Sequence, residues 1–415
     1  MNAEQRARWS WAFYDWANSS FATTVMAGFF PLFFASYWAH DLEPGARTFW
    51  LGIASSAASV VVMILAPVLG GLADRKGYKK RFLFLATLLG AASTAAMFWV
   101  ANGNWTVALT LFTLGSIGFF AGTSFYDSLI VAVAGPEEMD FTSGLGYGLG
   151  YLGGGLLFAL NVFMFLKPQT FGLADGAQAV LWSFLMVGVW WMLFSLPLFR
   201  NVHEEPMHDQ SGSDWQELVR TFRQVLTMKP VLLFLGAYWL YIDAVDTIIR
   251  MAVDYGVKLG FAPGALIGAL LMVQFIGFPA AVAYGWLAER FGTRRMIYLA
   301  LLVYGAVTVG SYWLESERDF FILAAAIGCV QGGIQSLSRS YYARLIPAEQ
   351  SGQFFGFYNM LGKFAAVLGP LVVGFTADVV SNQRLPILTL LPFFMIGGWL
   401  LAKVREPARA RVSKL

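Results

Sequence analysis

Runs of about 20 apolar residues recur along the whole chain, and each is long enough to cross a hydrocarbon core of ~30 Å as an α-helix. Only 13% of the residues are charged, about half the share found in an ordinary soluble domain. Most runs also lack the polar face that a helix of a soluble protein presents to water. The pattern predicts an all-α membrane protein with twelve spans, at residues 12–38, 48–72, 82–101, 105–133, 142–166, 177–199, 231–256, 264–288, 295–314, 320–345, 352–379 and 386–403.

One long polar segment divides these spans six and six. We therefore expect an N-terminal six-helix bundle over residues 1–200, a cytoplasmic linker over 201–229 and a C-terminal six-helix bundle over 230–415. Of the 28 Lys and Arg residues, 20 fall on the side that holds both termini, five on the other side and three inside spans. Positive charge accumulates on the cytoplasmic side, so both termini are predicted to be cytoplasmic. The first apolar run is too long for a signal peptide and is expected to remain as a membrane helix.

A motif that follows the second span recurs after the eighth. Residues 70–80 and 285–295 both read Gly-x3-acid-Arg-x-Gly-x-base-base, and they begin 215 residues apart. A second match in the same order pairs Gly144 of the fifth span with Gly356 of the eleventh. Ordered matches at nearly constant spacing indicate that the two halves are internal repeats in parallel register.

The repeated loop and the six-plus-six layout resemble the major facilitator superfamily over the whole chain. Within that superfamily the chain is similar to the vacuole effluxer family, which includes the fungal vacuolar amino-acid effluxer. This narrower resemblance rests on Trp11-Ala-Phe-Tyr-Asp-Trp-Ala-Asn-Ser19, Phe125-Tyr-Asp-Ser128, Pro136-Glu-Glu-Met139, Gly150-Tyr-Leu-Gly-Gly-Gly155, Leu337-Ser-Arg-Ser340 and Phe354-Phe-Gly-Phe-Tyr-Asn359. The resemblance implies a major-facilitator fold in the inner (plasma) membrane, rocker-switch alternating access and efflux of amino acids or related zwitterions, with protons as a candidate coupling ion.

Four charged residues share one face of the seventh predicted span. At about 100° per residue they lie within an arc of about 80°, and they are Asp243, Asp246, Arg250 and Asp254. A charge in hydrocarbon costs roughly 2.5–3.5 kcal/mol, so we expect this stripe to line a central cavity and to bind solute or protons. Asp246 and Arg250 are spaced i,i+4 and can pair. The alternative is a structural ion-pair network that clamps the span to its neighbours.

The first span carries an equivalent pattern. Asp15 and Asn18 are expected on the same face by pseudosymmetry, and Tyr14 and Trp16 could stack on a solute. The alternative is that the aromatic residues form an interfacial belt and that Asp15 caps the start of the helix.

Lys363 lies near the middle of the eleventh span and is a plausible counter-ion for Asp15, for Asp243 or for a substrate carboxylate. Asn359 of the same span is also predicted to line the pathway of the substrate or ion. A structural ion pair is again the alternative.

The two repeated loops are interpreted as gates. In the superfamily that they resemble, the loop acid reaches the N-terminal end of a neighbouring helix and shuts the cytoplasmic side. Arg339 is the expected partner of Glu289, and Asp127 the expected partner of Arg75 or Lys79. A basic anchor without a switching role is the alternative. The predicted gating residues are Asp74, Arg75, Gly77, Glu289, Arg290, Gly292, Asp127 and Arg339.

Several other sequence patterns do not indicate a catalytic, cofactor or metal site. The Gly-x-Gly-x-x-Gly run of the fifth span lacks the preceding strand of a dinucleotide site and favours close helix packing. His203, Glu204, Glu205 and His208 are expected in a solvated linker rather than around a metal. The single cysteine, Cys329, is expected to be a buried structural thiol. The chain is therefore predicted not to be an enzyme and to need no cofactor, metal or nucleic acid.

The sequence favours a secondary active transporter, acting as a monomer on a small polar solute. Amino acids or related zwitterions are the first expectation, with proton-coupled efflux as the candidate mode of transport. The alternatives are another polar solute, such as a sugar, nucleoside or peptide fragment, or a transporter-like sensor or lipid-handling protein.

Overall fold

The computed structural model describes residues 2–204, 220, 223–380 and 384–405. Most of the predicted linker lies outside these ranges, so the limits of the two halves and of the linker stay predictions.

Within these described ranges, twelve helices are long and apolar enough to cross a membrane. Each overlaps one predicted span, which confirms the all-α architecture of two six-helix bundles. The largest difference is at the start of the first helix, because Asn2 and Gln5 form a capping box that satisfies its first N–H groups. The helices are α1 (Ala3–Trp38), α2 (Pro44–Lys76), α3 (Lys79–Ala96), α4 (Trp105–Ser128), α5 (Met139–Leu166), α6 (Gly176–Asn201), α7 (Lys229–Lys258), α8 (Pro263–Phe291), α9 (Thr293–Gly310), α10 (Glu317–Leu345), α11 (Ser351–Val379) and α12 (Leu391–Lys403).

Each of the two repeated loops makes its turn at a glycine. Gly77 ends α2 with φ +64°, and Gly292 ends α8 with φ +97°. Positive φ of this kind strains any residue with a Cβ atom. The glycine of each motif therefore allows a sharp turn into the next helix, three residues after the acid of the motif.

The two bundles meet most extensively along two helix pairs, α2 with α11 and α5 with α8, and also between α5 and α10 and between α4 and α11. Glycines make the first two of these contacts close. A methyl group on Gly70 would lie 2.3 Å from the carbonyl oxygen of Gly352, and one on Gly144 would lie 2.6 Å from that of Ala281. Small residues of this kind let helix backbones approach in a membrane.

The apolar core is shared at one end of the molecule and divided at the other. We call the end that carries the loops after α2 and α8 the basic end, because it holds Lys79, Lys80, Arg294 and Arg295. The largest core cluster joins both bundles and includes Trp11 and Leu198 with Phe234 and Tyr341. Two further clusters stay within one bundle each, one around Phe30 and Trp38 and one around Leu266 and Phe320. The bundles thus share a core at the basic end, while each closes on its own core toward the opposite end.

Large apolar side chains cover the outer surface, as a lipid environment allows; Leu302 and Phe375 are 71% and 73% exposed. Cys329 is also exposed. The prediction of a buried thiol is wrong because this position of α10 faces outward.

Candidate functional site

Asp74 at the end of α2 holds the start of α11. Its two carboxylate oxygens accept hydrogen bonds from the backbone N–H groups of Gly352 and Gln353, each at 2.8 Å. Lys79 lies 2.8 Å from the same carboxylate and donates to the hydroxyl of Ser351 at 2.9 Å. A carboxylate is favoured at a helix N-terminus by the free N–H groups and the helix dipole. The contact expected of a gating acid is therefore present, and it joins the two bundles.

Glu289 makes the corresponding contact in the other half. Its Oε1 accepts a hydrogen bond from the backbone N–H of Phe141, at the start of α5, at 3.2 Å. The arginines of the two motifs differ in their surroundings. Arg290 is exposed beside the ring of Trp286, at 5.9 Å, whereas Arg75 is half-buried.

Arg339 of α10 reaches across into the N-terminal bundle and is only 1% exposed. Its Nη1 lies 2.9 Å from Asp127 Oδ1 and 3.4 Å from Asp15 Oδ2. Its Nε and Nη2 donate to the hydroxyl and the carbonyl oxygen of Ser143, at 2.9 and 3.0 Å. Three aromatic rings surround the guanidinium carbon at 4.8, 5.3 and 4.4 Å, those of Trp11, Tyr126 and Tyr147. We call these residues the Arg339 cluster.

Two predicted pairings are therefore wrong. Arg339 does not pair with Glu289, and Asp127 pairs with neither Arg75 nor Lys79. Arg339 lies ~9 Å inside the end of α10, too deep for the loop acid, and Lys79 is taken by the carboxylate of its own loop. Arg339 and Asp127, which lie deeper in the bundles than the loop residues, pair with each other instead.

Asp140, in the first turn of α5, is a further cross-bundle anchor that the sequence analysis missed. Its Oδ1 accepts hydrogen bonds from Arg344 at 2.9 Å and from Ser340, and its Oδ2 accepts one from Thr293 at 2.6 Å. The residue is 1% exposed. It was overlooked because the fifth predicted span begins at residue 142, which leaves Asp140 in a loop. An acid facing the basic end of α10 was the available signal.

Asp246 of α7 lies on the surface between the bundles. It is half-buried and interacts electrostatically with Arg250 and with Lys363 of α11. Lys363 in turn lies 3.6 Å from the ring centroid of Phe120, in α4 of the other bundle. Because this surface is bounded by both bundles, the exposed part of these side chains faces the space between them and not the lipid. Arg250 is exposed.

Asp243, which was predicted in the same stripe of α7, does not share the position of Asp246. Asp243 is 1% exposed and its carboxylate accepts the backbone N–H of Gly369 in α11, at 2.8 Å. It therefore does not line the space between the bundles. Lys363 was expected as the counter-ion of Asp15 or Asp243. It acts on Asp246 instead, because Asp243 is buried against Gly369 of α11 while Asp246 and Lys363 are both half-buried. The side chain of Asp254 lies outside the described residues.

The site residues predicted in α1 also differ in whether they lie near the surface between the bundles. Asp15 stays near the surface between the bundles, with 13% of its side chain exposed, and accepts a hydrogen bond from Tyr126 at 2.8 Å. It is not a helix cap, since α1 begins at Ala3. Tyr14 is buried and hydrogen-bonded to Thr87. Stacking of Tyr14 on a solute is therefore excluded in this conformation.

Trp16 and Asn18 point into the N-terminal bundle. The ring of Trp16 stacks on that of Trp190 in α6 at 5.5 Å, and Asn18 is 3% exposed. Asn359 of α11 donates to Asp127 Oδ2 at 3.2 Å, so it belongs beside the Arg339 cluster. The face of α1 that meets a solute was misjudged because the rotation of a helix about its axis depends on its neighbours.

Glu204 does not lie free in solvent as predicted. Its two carboxylate oxygens accept the backbone N–H groups of Lys79 and Lys80, at 2.9 and 3.0 Å, and so cap the start of α3. Burial raises the pKa of Glu204, while the hydrogen bonds and the nearby lysines oppose the shift. Lys80 also donates to the carbonyl oxygen of Val202. The segment after α6 therefore fixes the loop that contains Lys79.

Comparison with known proteins places this geometry in a family context. The family described as "Vacuole effluxer Atg22 like" matches residues 50–137 and 137–412. An uncharacterized MFS-type transporter of Bacillus subtilis (strain 168), YxiO, is 36% identical over 412 residues, which is 98% of this chain and 96% of that protein. Autophagy-related protein 22-1 of Penicillium rubens is 26% identical over 273 residues, 58% of this chain and 45% of the fungal protein. The chain thus matches less than half of that fungal protein's length.

Solved structures share the fold. The human organic anion transporter MFSD10 superposes with a TM-score of 0.76 at 15% identity, over 97% of this chain and 100% of that one. The major facilitator superfamily transporter FucP, in its outward conformation, gives a TM-score of 0.74 at 12% identity, over 98% and 100%. At such identities the likeness shows the fold alone, which is that of the major facilitator superfamily.

Proposed function

Because this chain belongs to the Atg22-like vacuole effluxer family of major facilitator transporters, we propose that it carries small zwitterions, with amino acids first, by rocker-switch alternating access. Family and fold are those of a membrane transporter and not of an enzyme. A small molecule is therefore moved across a bilayer, and the proposal concerns which one and how.

The observation that carries the proposal is a pair of opposite charges exposed between the bundles. Asp246 and Lys363 are half-buried there, near enough to act on each other electrostatically, although no ion pair within 4.0 Å joins them. A zwitterion needs an acid for its ammonium group and a base for its carboxylate, because a charge left unpaired at this depth is costly. Asp246 and Lys363 supply one of each. Arg250 adds a second exposed base on the same helix as Asp246.

Alternating access is supported by where the bundles are joined. The contacts of Asp74, Glu289, Asp140 and Arg339 all lie toward the basic end. Between described residues, no hydrogen bond joins the bundles nearer the opposite end than that of Gln274 with Thr23, at 2.8 Å. For a solute to reach the basic end, these contacts must break. Charge-assisted contacts at helix ends are worth on the order of 1 kcal/mol each, which allows two states to exchange.

We also propose that solute moves outward across the inner (plasma) membrane, with both termini in the cytoplasm and the chain active as a monomer. The basic end is the side enriched in Lys and Arg, which favours a cytoplasmic position. The similarity to a bacterial transporter supports the same membrane.

Counterflow in proteoliposomes tests the proposal. Vesicles that contain purified protein and an unlabelled amino acid mixture are diluted into one labelled amino acid at a time. A carrier for that solute accumulates label transiently, because exchange is faster than leak. A thermal-shift screen with the same amino acids gives an independent readout, since a ligand that binds only the folded state raises the melting temperature.

The expected result is label accumulation and a thermal shift for at least one amino acid, both reduced in Lys363→Gln at the same solute concentration. If sugars, nucleosides or short peptides give counterflow and no amino acid does, the zwitterion proposal is wrong. If no solute of any class exchanges faster than leak, the carrier mechanism itself is wrong.

A further inference from the structure

Asp243 is a buried carboxyl group that the proposed solute site does not use. Its Oδ2 accepts the N–H of Gly369 at 2.8 Å, whereas its buried Oδ1 has no hydrogen-bond partner. Buried polar atoms are nearly always hydrogen-bonded. An oxygen left without a partner at a residue that is 1% exposed therefore calls for an explanation.

The contact with α11 is closely fitted. A methyl group on Gly369 would lie 2.0 Å from Thr247 Oγ1 and 3.2 Å from Asp243 Oδ1, so only glycine allows α11 to approach. Pro370 follows inside the helix and has no N–H to donate, which weakens the helix at this point. Asp243 thus holds α11 where its own hydrogen bonding is interrupted.

No described group neutralises this carboxyl group at close range. The charges that act on it are Asp246 and Arg250, both on α7 itself. Arg250 is exposed, and no basic nitrogen of the described residues lies within 4.0 Å of Asp243. On α11, Lys363 acts on Asp246 and not on Asp243. The described parts of α10 and α12, which also pack against α7, add no charge that acts on it.

An ionised carboxylate with one hydrogen bond in an apolar interior is far more costly than the neutral acid. We propose that Asp243 binds the proton that is exchanged for solute in each transport cycle, with Asp246 left as the charged partner of the solute. This inference rests on the proposed transport function and adds the coupling ion and its residue.

The proton follows a closed path. With the basic end shut, water that reaches Asp243 from the opposite end delivers the proton to Oδ1, while Oδ2 keeps the contact with Gly369. When the basic end opens, water that enters between α7 and α11 accepts the proton from Oδ1 and solvates the carboxylate. Gly369 lies ~24 Å along α11 from Gln353, the residue held by Asp74, so release of Asp243 acts on the helix that the gate holds. One proton then enters for each solute that leaves.

Infrared difference spectroscopy of the purified protein tests the protonation without any solute. At neutral pH the wild type should show the carbonyl stretch of a buried protonated carboxylic acid. Asp243→Asn, which keeps the shape of the neutral acid, should lose one such band, and the matched control Asp246→Asn should keep it. Identical carboxylic-acid bands in the wild type and Asp243→Asn would overturn the proposal.

Transport assays in proteoliposomes then distinguish proton coupling from solute exchange. For a solute found by counterflow, Asp243→Asn should still exchange label in the absence of a pH gradient and should lose accumulation driven by one. Gradient-driven accumulation that survives in Asp243→Asn would overturn the proton proposal. Wild-type vesicles that show no counterflow would count against the proposed substrate class, while the infrared result still decides the proton site.

Discussion

The carboxylate of Asp74 accepts a hydrogen bond from the backbone N–H of Gln353, 2.8 Å away, and joins the end of α2 to the start of α11. Glu289 and Phe141 repeat this relationship with the bundles exchanged, at 3.2 Å. The two acids are 215 residues apart and the two donors 212, so the pseudosymmetry that relates the bundles also relates these contacts. Both lie at the basic end and stabilise only the state in which that end is closed.

Asp74→Asn should open the basic end more often. The variant removes the charge at the start of α11 and leaves the buried Lys79 without its partner, so the closed state loses on the order of 1.4 kcal/mol, or about tenfold in population. Labelling of a cysteine placed at Ser351, with the exposed Cys329 replaced by serine in every variant, would report the opening. Glu289→Gln, which affects a single hydrogen bond, should act in the same direction and more weakly. Labelling that does not change in Asp74→Asn would remove the gating role.

Arg339→Gln should destabilise the protein strongly. It leaves Asp15 and Asp127 buried without a cation, a change that typically costs about 3–5 kcal/mol. Thermal unfolding in detergent measures the effect, and Arg318→Gln, an exposed arginine of the same helix, is the matched control. Addition of Asp127→Asn should recover part of the loss, because the two residues are coupled. Strictly additive losses would contradict the pairing seen here.

Lys363→Gln should weaken solute binding without loss of folding. A hydrogen bond to a charged group is worth about 1.5–3 kcal/mol, so the affinity for a zwitterion should fall at least about tenfold. The ligand-induced thermal shift measures this, with Lys167→Gln as a control at an exposed lysine. Affinity equal to the wild type would place the solute carboxylate elsewhere.

Gly144→Ala should disfavour the closed basic end. The added methyl group would meet the carbonyl oxygen of Ala281 at 2.6 Å and push α5 away from α8. Gly268→Ala is the matched control, because its methyl group would meet nothing closer than 3.5 Å; there the substitution should stabilise the helix by up to about 1 kcal/mol. Cysteine labelling at the basic end distinguishes the two. The same labelling rate in both variants would mean that α5 and α8 need not touch.

Glu204 should contribute a pH-dependent part of the stability. Its pKa is raised above the ordinary 4.5, mainly by burial, so the folded state binds this proton more tightly than the unfolded state does. Its contribution is therefore largest below pH 4.5 and falls as the pH rises through the folded-state pKa. Glu204→Gln should flatten this part of the pH profile of the melting temperature. A profile that keeps the wild-type slope would assign it to another group.

Local and repeated features were predictable from the sequence. The spans follow from the length of apolar chain that crosses a bilayer, and the polar residues before residue 12 were misjudged only because a capping box extends α1 to Ala3. The acids Asp74 and Glu289 were identified because each lies three residues before a glycine that turns the chain. This arrangement occurs twice, 215 residues apart.

The pairing of the deeper charges was decided by the tertiary structure. Arg339 meets Asp127 and Asp15 across more than two hundred residues of chain, and Asp243 turns to Gly369 while Asp246, three residues on, faces the other bundle. The sequence alone determined how many spans there are, where along the chain each one lies and that they repeat, since those properties depend on neighbours along the chain and on the thickness of the membrane. Which face of each helix meets which partner depends on how all twelve pack together, and that rotation is not encoded in any single span.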